Sequence, residues 1–192
     1  MQVTMKDPTG AANRKLRLRL RDETAELHEA LHHDPVFAAL ANGTLDKSNG
    51  VALMGRLAGF YRGADPIVEG ACQRLGIPKE LYRYRPRSPR LSEWEGDPQV
   101  RFRHVHTRAE LAGLVYVLDG ATLGAAVLDR ASRDLDWIGS YWAWSQAEGP
   151  AIWRETLSLI ESIPQTEQQS AIMAARSAFI LFTDAVAVVA TP

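Results

Sequence analysis

The feature that most constrains the fold is the helical spacing of apolar residues over long stretches with few helix breakers. Between residues 166 and 189, one set of apolar residues recurs at this spacing: Ala171, Ala175, Ala178, Phe179, Phe182 and Val186. Residues spaced in this way lie on one face of a helix. The chain has almost no run of alternating β-branched residues, which strands would require. The sequence therefore predicts an all-α fold with the helices packed around one core.

Further helices are predicted from apolar spacing, caps and breakers. Their bounds are Arg14 to His33; Asp46 or Ser48 to about Leu75, with a kink at Pro66; Arg108 to about Leu135, interrupted at Gly120 and Gly124; and Gly149 to Ile163. Asp34-Pro35 breaks the first helix and starts a short apolar turn. Residues 86–98 are rich in Pro, Arg and Ser, so we expect irregular chain there with one helical turn near residues 91–95.

Length and composition limit the class of protein. A chain of 192 residues with 46% hydrophobic content can bury one sizeable core, so we expect one domain over residues 13–192 after a flexible leader, residues 1–12. The formal charge of -1 gives no overall attraction to nucleic acid or anionic lipid. A single cysteine, Cys72, excludes an internal disulfide. Because residues 1–15 lack the apolar segment of a signal peptide and no apolar run approaches about 20 residues, we expect a cytoplasmic protein without a membrane span.

The first predicted helix presents histidines beside other polar side chains. Arg21, Thr24, His28 and His32 are three or four residues apart, so they share a face. His28 can be a hydrogen-bonded histidine at a packing face, or it can reach into a pocket. The tract from His28 to His32 also matches the zinc-hydrolase pattern H-E-x-x-H, in which two imidazoles bind zinc and Glu29 would activate water. A catalytic zinc needs a third protein ligand, and no later His or Glu stands at a recognisable spacing.

A second segment, residues 113–126, is rich in small residues. Gly113, Gly120, Gly124 and Ala125 lie on or near one helical face. Each interior glycine costs about 1 kcal/mol relative to alanine in a helix. Two of them one turn apart therefore indicate a kink or a close approach to the backbone. The approaching group can be another helix or a flat ligand.

Taken together, these two segments resemble the haem oxygenase family, particularly its bacterial members associated with phytochrome chromophore synthesis. Residues 20–28, LRDETAELH, look like the family's proximal segment, in which a basic residue stands seven positions and a threonine four positions before the axial histidine. Residues 116–125, YVLDGATLGA, are similar to the family's glycine-containing distal helix. Weaker likeness continues through Trp142, Gly149-Pro150 and Trp153 and into residues 175–182.

The resemblance implies a haem held between the two helices. His28 would be the axial iron ligand, and the backbone at Gly120 and Gly124 would lie against the other face of the ring. Thr24 is carried over with the proximal segment as a haem-binding residue. The resemblance further implies cationic or phenolic partners for the haem propionates, for which the candidates are Arg21, Tyr116 and Arg154.

The implied reaction is oxidative opening of haem to biliverdin, carbon monoxide and iron. Haem is both substrate and cofactor, O2 is the oxidant, and electrons come from a reductase or ferredoxin. A bacteriophytochrome is the implied partner of the phytochrome-associated members. The chain departs from the family in three places. His32 replaces a frequent carboxylate, Ala121 replaces the aspartate of animal members, and Gly124-Ala125 replaces a Gly-Gly pair.

Three alternative functions remain open at this point. The first is a haem carrier or sensor of the same fold that does not degrade haem, which the altered distal segment would suit. The second is a zinc hydrolase built on the H-E-x-x-H tract. The third is a helical enzyme of a related architecture that uses cysteine chemistry at Cys72, beside which no activating residue pattern is found.

Overall fold

Every regular element is helical in the part of the chain that the computed structural model describes, which comprises residues 15–96, 100–132 and 140–186. The α-helices in these ranges are α1 (Leu16–His32), α2 (Pro35–Ala41), α3 (Lys47–Arg74), α4 (Arg108–Gly120), α5 (Ala125–Ser132), α6 (Tyr141–Glu161) and α7 (Gln168–Val186). Short 3-10 segments are formed by Ser88–Leu91, Ala121–Gly124 and Gln165–Glu167. The predicted all-α fold is confirmed. The predicted leader, residues 1–12, lies outside the described residues.

Polar residues set the starts of several helices. The Asp34 carboxylate accepts hydrogen bonds from two backbone N–H groups of α2. Of the two candidate caps of α3, Asp46 holds that position. Thr107 and Glu110 form a reciprocal capping box at the start of α4. These contacts satisfy N–H groups that have no acceptor within the first helical turn. After α3, Gly76 has a φ of 58°, a left-handed conformation that glycine adopts without steric cost.

Residues 35–41, predicted as a turn, form helix α2 instead. Pro35 stands at its first position, where the missing N–H removes no helical hydrogen bond. Val36 and Leu40 of this helix are buried. The sequence therefore contained the two signals of a helix start, Asp34 as cap and Pro35 after it. The prediction was wrong because a segment of seven residues is too short to display helical periodicity.

Helix α6 begins at Tyr141, eight residues before the predicted start at Gly149. Gly149-Pro150 was interpreted as a helix start, yet Pro150 lies inside the helix. Tyr141 and Trp142 are almost fully buried, and this burial stabilises a first half that local propensity does not favour. Pro66, where the sequence predicts a kink, also lies inside a helix, since α3 continues through it.

The remaining predicted boundaries agree closely with the structure or extend beyond the described residues. The stretch from Arg108 is interrupted where predicted, since α4 ends at Gly120, a 3-10 segment follows, and α5 begins after Gly124. Residues 133–135, its predicted end, are outside the described ranges. The helical turn predicted near residues 91–95 lies slightly earlier, at Ser88–Leu91.

The packing of α4 against α7 forms the centre of the core. The predicted apolar face of α7 is buried. Gly113 allows the two helices to approach closely, because a Cβ atom there would lie only 2.0 Å from the carbonyl oxygen of Ala171. At Gly113, the small-residue segment therefore packs helix against helix. The other glycines of the segment have a different role, described below.

A buried ion pair connects the loop after α3 to α4. Arg87 and Asp119 are each 0% exposed, and the Arg87 guanidinium donates to the Asp119 carboxylate. The Tyr82 hydroxyl at 2.8 Å and the Thr156 hydroxyl at 2.6 Å donate to the second carboxylate oxygen. Burial lowers the pKa of Arg87, but the charge of Asp119 more than offsets it, so that this pKa lies well above its usual value. Arg87 therefore keeps its charge beside the Asp119 carboxylate.

The same loop is fastened to α3 by Asp65. Its carboxylate accepts hydrogen bonds from the Tyr84 hydroxyl at 2.7 Å and from the backbone N–H groups of Arg87 at 3.0 Å and Ser88 at 2.7 Å. We refer to the following side chains as the buried polar cluster: Asp65, Tyr82, Tyr84, Arg87, Asp119 and Thr156. The cluster joins α3, α4, α6 and the loop, and it fixes the helices that surround the cavity described next.

One helical stretch, Arg108–Arg130, is long and apolar enough to meet a length and composition test for crossing a membrane. Of its most apolar window, 56% is buried inside the fold. Core helices of water-soluble proteins share this property, and α4 lies in the core between α6 and α7. Packing in the core therefore explains why this stretch is so apolar.

Candidate functional site

A cavity of about 510 Å³ opens between the helices, a volume within the usual range of ligand pockets. Its wall is mostly apolar and is rich in aromatic side chains. The aromatic lining residues are Phe37, Tyr61, Tyr116, Tyr141, Trp142, Trp153, Phe179 and Phe182. Such a wall favours a ligand with a large, flat, apolar surface.

Helix α1 contributes two imidazoles to this wall. His28 and His32 both line the cavity because they are one helical turn apart. Their ring centroids are 4.6 Å apart, with the planes at 72°. The His28 ring also meets Phe179 edge to face, at 6.1 Å between centroids. Of the two sequence-based alternatives for His28, its position at the cavity favours the one in which it reaches into a pocket.

The environment of His28 favours a neutral imidazole. Burial is the main cause that lowers its pKa, the positive charge of His32 lowers it further, and Glu29 opposes both. A neutral imidazole keeps a nitrogen lone pair free to bind a metal. Within the described ranges, neither cavity histidine has a hydrogen-bond partner. Glu29 instead contacts His33 at 3.1 Å.

Gly120 and Gly124 present backbone to the cavity. A Cβ atom at Gly124 would meet no atom within 4 Å, and one at Gly120 would meet only the Trp153 ring, at 3.6 Å. Both glycines line the cavity, as does Ala121 between them. Since no neighbouring helix requires these two positions to be glycine, the open space belongs to the cavity. A flat ligand could approach the backbone here.

Tyr116, Thr24 and Arg21 lie together at one end of the cavity. Tyr116 lines the wall, and its hydroxyl is in hydrogen-bond contact with the buried Thr24. Burial raises the pKa of Tyr116, while Thr24 and the charges of Arg21 and Arg17 oppose that rise. The Arg21 side chain is 70% exposed and contacts Asp22 at 3.3 Å. This end of the cavity therefore combines a phenol with two nearby cations, which suits an anionic group on a ligand.

Arg154, the third predicted partner of an anionic group, is exposed on α6 and does not line the cavity. Its neighbour Trp153 does line it and packs against Tyr116, with the ring centroids 5.7 Å apart. Thr24 also stands behind the wall, because its hydroxyl donates to the Leu20 carbonyl at 2.8 Å. The structure therefore brings His28, Tyr116, Gly120 and Gly124 into one wall, with Thr24 and Arg21 beside it.

Several wall residues had not been predicted from the sequence as site residues. Tyr61 comes from the middle of α3, and Tyr141 and Trp142 come from the part of α6 that was not predicted as helix. Tyr61 is backed by the buried polar cluster, since the Arg87 guanidinium carbon lies 5.8 Å from its ring centroid. His32 gave a sequence signal through its spacing from His28, and Trp142 gave a weaker one through the family likeness.

The structure gives little support to the zinc-hydrolase hypothesis or to the hypothesis of cysteine chemistry at Cys72. Among the described residues, no group of three or more His, Cys, Asp or Glu side chains is placed to hold a metal ion. Cys72 does not line the cavity, and burial raises its pKa to about 11. A thiol with so high a pKa carries almost no thiolate at neutral pH, which is unsuited to a nucleophile.

Comparison with known proteins identifies the fold. No protein-family model matches the chain, and no curated protein sequence does. Among solved structures, the chain is similar to the haem oxygenase of Neisseria meningitidis, whose crystal structures were determined with NO and CO bound. The TM-score is 0.66 at 19% sequence identity, and the match covers 93% of this chain and 95% of that one. The chain therefore has the all-α haem oxygenase fold.

Proposed function

We propose that this protein binds haem in the cavity and opens it oxidatively to biliverdin, carbon monoxide and ferrous iron. The observation that carries the proposal is the unpartnered, neutral imidazole of His28 in a cavity that Gly120 and Gly124 leave open. The haem oxygenase fold and the resemblance of both segments to that family support it. O2 would be the oxidant, and an external reductase or ferredoxin would supply the electrons.

The residues present fit a haem. The aromatic and aliphatic wall suits the porphyrin surface, and the neutral His28 suits an iron ion. The bare backbone at Gly120 and Gly124 can lie against a planar ring, where any larger residue would add a side chain. Tyr116 and Arg21 would bind the propionates at the polar end, while Thr24 would hold the Tyr116 hydroxyl in position. Arg154 stays a weaker candidate because its side chain would have to turn toward the cavity mouth.

When bound, the haem would supply an iron ion for O2 chemistry, and the protein would control the orientation of the ring and the access to it. His28 would fix the ring on one side. The backbone between Gly120 and Gly124 would limit the space on the other side, so that only one edge of the ring is open to oxidation. The apolar side chains of Leu123 and Val127, which also line the cavity, would restrict water there.

A haem carrier or sensor is the second candidate function, and a specific observation favours it. Ala121, Leu123 and Val127 give this wall no hydrogen-bonding side chain. Asp119, the nearest carboxylate along the chain, is occupied by Arg87, Tyr82 and Thr156. A wall with so few polar side chains could bind haem without promoting its degradation. The bacteriophytochrome partner and the cytoplasmic location stay predictions from the sequence.

Titration of the apoprotein with hemin tests the proposal. Wild type should bind one haem, and His28→Ala should alter the absorption of the iron complex. Addition of a reductant in air should then bleach the Soret band of wild type while biliverdin absorbance grows. His33→Ala is the matched control, because His33 is a nearby histidine that follows His32 in the chain and does not line the cavity. This control should behave as wild type.

The other outcomes separate the candidate functions. Haem that binds but persists under reductant and O2 would support the carrier. A protein that takes up no haem would contradict both haem functions. Stoichiometric zinc in that protein, lost in His28→Ala and in His32→Ala, would then support the H-E-x-x-H hydrolase.

A further inference from the structure

Helix α1 offers the cavity two imidazoles where one iron ligand is required. His28 and His32 both line the cavity, and their ring centroids are 4.6 Å apart. Along the helix axis the two residues are separated by about 6 Å, the rise of four residues. One iron ion could not bind both on the same side of a rigid planar ring. It could bind either of them.

Nothing in the described chain fixes His28 in preference to His32. A metal-ligating histidine normally donates its second ring N–H to a carboxylate, a carbonyl or water, which sets the orientation of the ring. Neither cavity histidine has such a partner among the described side chains. The adjacent carboxylate of Glu29 contacts His33, at 3.1 Å. Both rings are therefore oriented mainly by packing, His28 between His32 and Phe179.

The cavity wall extends past both histidines along α1. At the His32 end, the wall is formed by α2, which contributes three lining residues. Two of them, Ala38 and Ala41, have only a methyl group as side chain. The third is Phe37, whose ring can stack on a planar ligand. At the other end, Tyr116 lies close to Thr24. A flat ligand could therefore occupy two positions that are offset along α1.

We infer that His32 is a second iron-binding imidazole, which holds haem about one helical turn from the His28 position. This inference rests on the proposed haem function. At the displaced position, the propionate edge moves away from Tyr116 and Arg21, and the ring lies nearer to α2. Haem on His32 is thus bound but is not oriented for ring opening. His28 selects the productive position, and His32 provides a storage position in the same cavity.

Hemin binding to four proteins tests the inference: wild type, His28→Ala, His32→Ala and the double variant. His28→Ala should keep an imidazole-ligated iron, seen as an iron–imidazole stretching band in the resonance Raman spectrum of the ferrous complex. It should bind hemin about tenfold more tightly than the double variant. In contrast, His32→Ala should retain the wild-type spectrum. Equal affinities and no imidazole band in both His28→Ala and the double variant would overturn the inference.

Two further measurements locate the haem in His28→Ala. Added imidazole should create an iron–imidazole stretching band in the ferrous double variant, which lacks one, whereas ferrous His28→Ala should show this band before any imidazole is added. Tyr116→Phe should weaken hemin binding by about fivefold in wild type, through loss of one hydrogen bond, and by less than about twofold in the His28→Ala background. An equal loss in both backgrounds would show that the ring has not moved and would overturn the displaced position.

Failure of the inference can be distinguished from failure of the proposed function. If wild type binds no hemin, both fail. If wild type binds hemin through His28 while His28→Ala behaves as the double variant, only the inference fails. Both histidines are exposed in the cavity wall without hydrogen bonds to described side chains, so their replacement should leave the fold intact. Circular dichroism and thermal unfolding of each apoprotein verify this directly.

Discussion

The buried polar cluster and the cavity are built from neighbouring residues, Asp119 and Gly120, yet they are opposite in character. Asp119 is fully buried, and both of its carboxylate oxygens accept hydrogen bonds. Gly120 faces open space, and His28 in the same cavity has no hydrogen-bond partner among the described residues. Polar groups that are satisfied inside the protein stabilise one arrangement of the helices. Those left unsatisfied in a cavity are available to a ligand.

The largest effect on stability is expected from Asp119→Ala. The change leaves the Arg87 charge buried without its partner, and removal of one member of a buried ion pair typically costs about 3–5 kcal/mol. His28→Ala, in the cavity, should cost less than about 1 kcal/mol, because no described contact depends on its polar atoms. Urea denaturation of the two apoproteins measures both changes. Equal losses would contradict the division between the two regions.

Gly113→Ala should have the next largest effect. Its new Cβ atom would lie 2.0 Å from the Ala171 carbonyl oxygen and 2.9 Å from the Ala174 side chain, so α4 and α7 would have to separate. Overpacking of this kind costs about 1–3 kcal/mol. The loss should appear as a lower midpoint of urea denaturation. An unchanged midpoint would mean that the contact between the two helices is not tightly packed.

Gly124→Ala should change stability in the opposite direction. No atom lies within 4 Å of its new Cβ, and Gly124 does not have a positive φ, so the apoprotein should gain about 0.4–1 kcal/mol from the restricted unfolded chain. Hemin affinity should fall, because the methyl group projects into the space that we assign to the ring. Urea denaturation and hemin titration of the same sample measure both effects. A more stable protein with unchanged affinity would place the haem elsewhere.

The sequence was sufficient where local spacing decides the outcome. Helical spacing singled out His28, Gly120 and Gly124, and the family resemblance implied Tyr116; all four line the cavity. Asp119, adjacent to Gly120, points about 100° away from it around the helix, and it contacts Arg87 instead of lining the cavity.

The sequence was insufficient where distant residues determine the structure. Arg87 lies 32 residues before Asp119 in the chain, and no local pattern pairs them. Tyr141 and Trp142 were missed because their helix is stabilised by burial against the core, although Pro150 is unfavourable inside it. Tyr61 was missed because an apolar face within a long helix does not show which of its residues borders a cavity. These contacts depend on tertiary packing and not on periodicity.

Glu155→Gln should have the smallest effect, although the contact has the same chemistry as the buried pair. Arg85, two residues before Arg87, donates to the two Glu155 oxygens at 3.0 and 2.6 Å. The hydrogen bond from Arg85 is the main cause that lowers the pKa of Glu155. The two side chains are 16% and 29% exposed, so solvent screens their attraction. We therefore expect a loss of less than about 1 kcal/mol at pH 7.

The pH dependence of that small loss tests whether burial separates the two ion pairs. Because the pKa of Glu155 is lower in the folded protein than its ordinary value of 4.5, the charged carboxylate stabilises the fold at pH values above about 4.5. This contribution disappears as the pH falls through the folded pKa. The stability difference between wild type and Glu155→Gln, measured by urea denaturation from pH 7 to pH 3, should therefore shrink toward zero. Glu161→Gln, an exposed change on the same helix, should show little difference at any pH. A difference for Glu155→Gln as large as that for Asp119→Ala would mean that position in the loop, and not burial, determines the strength of these pairs.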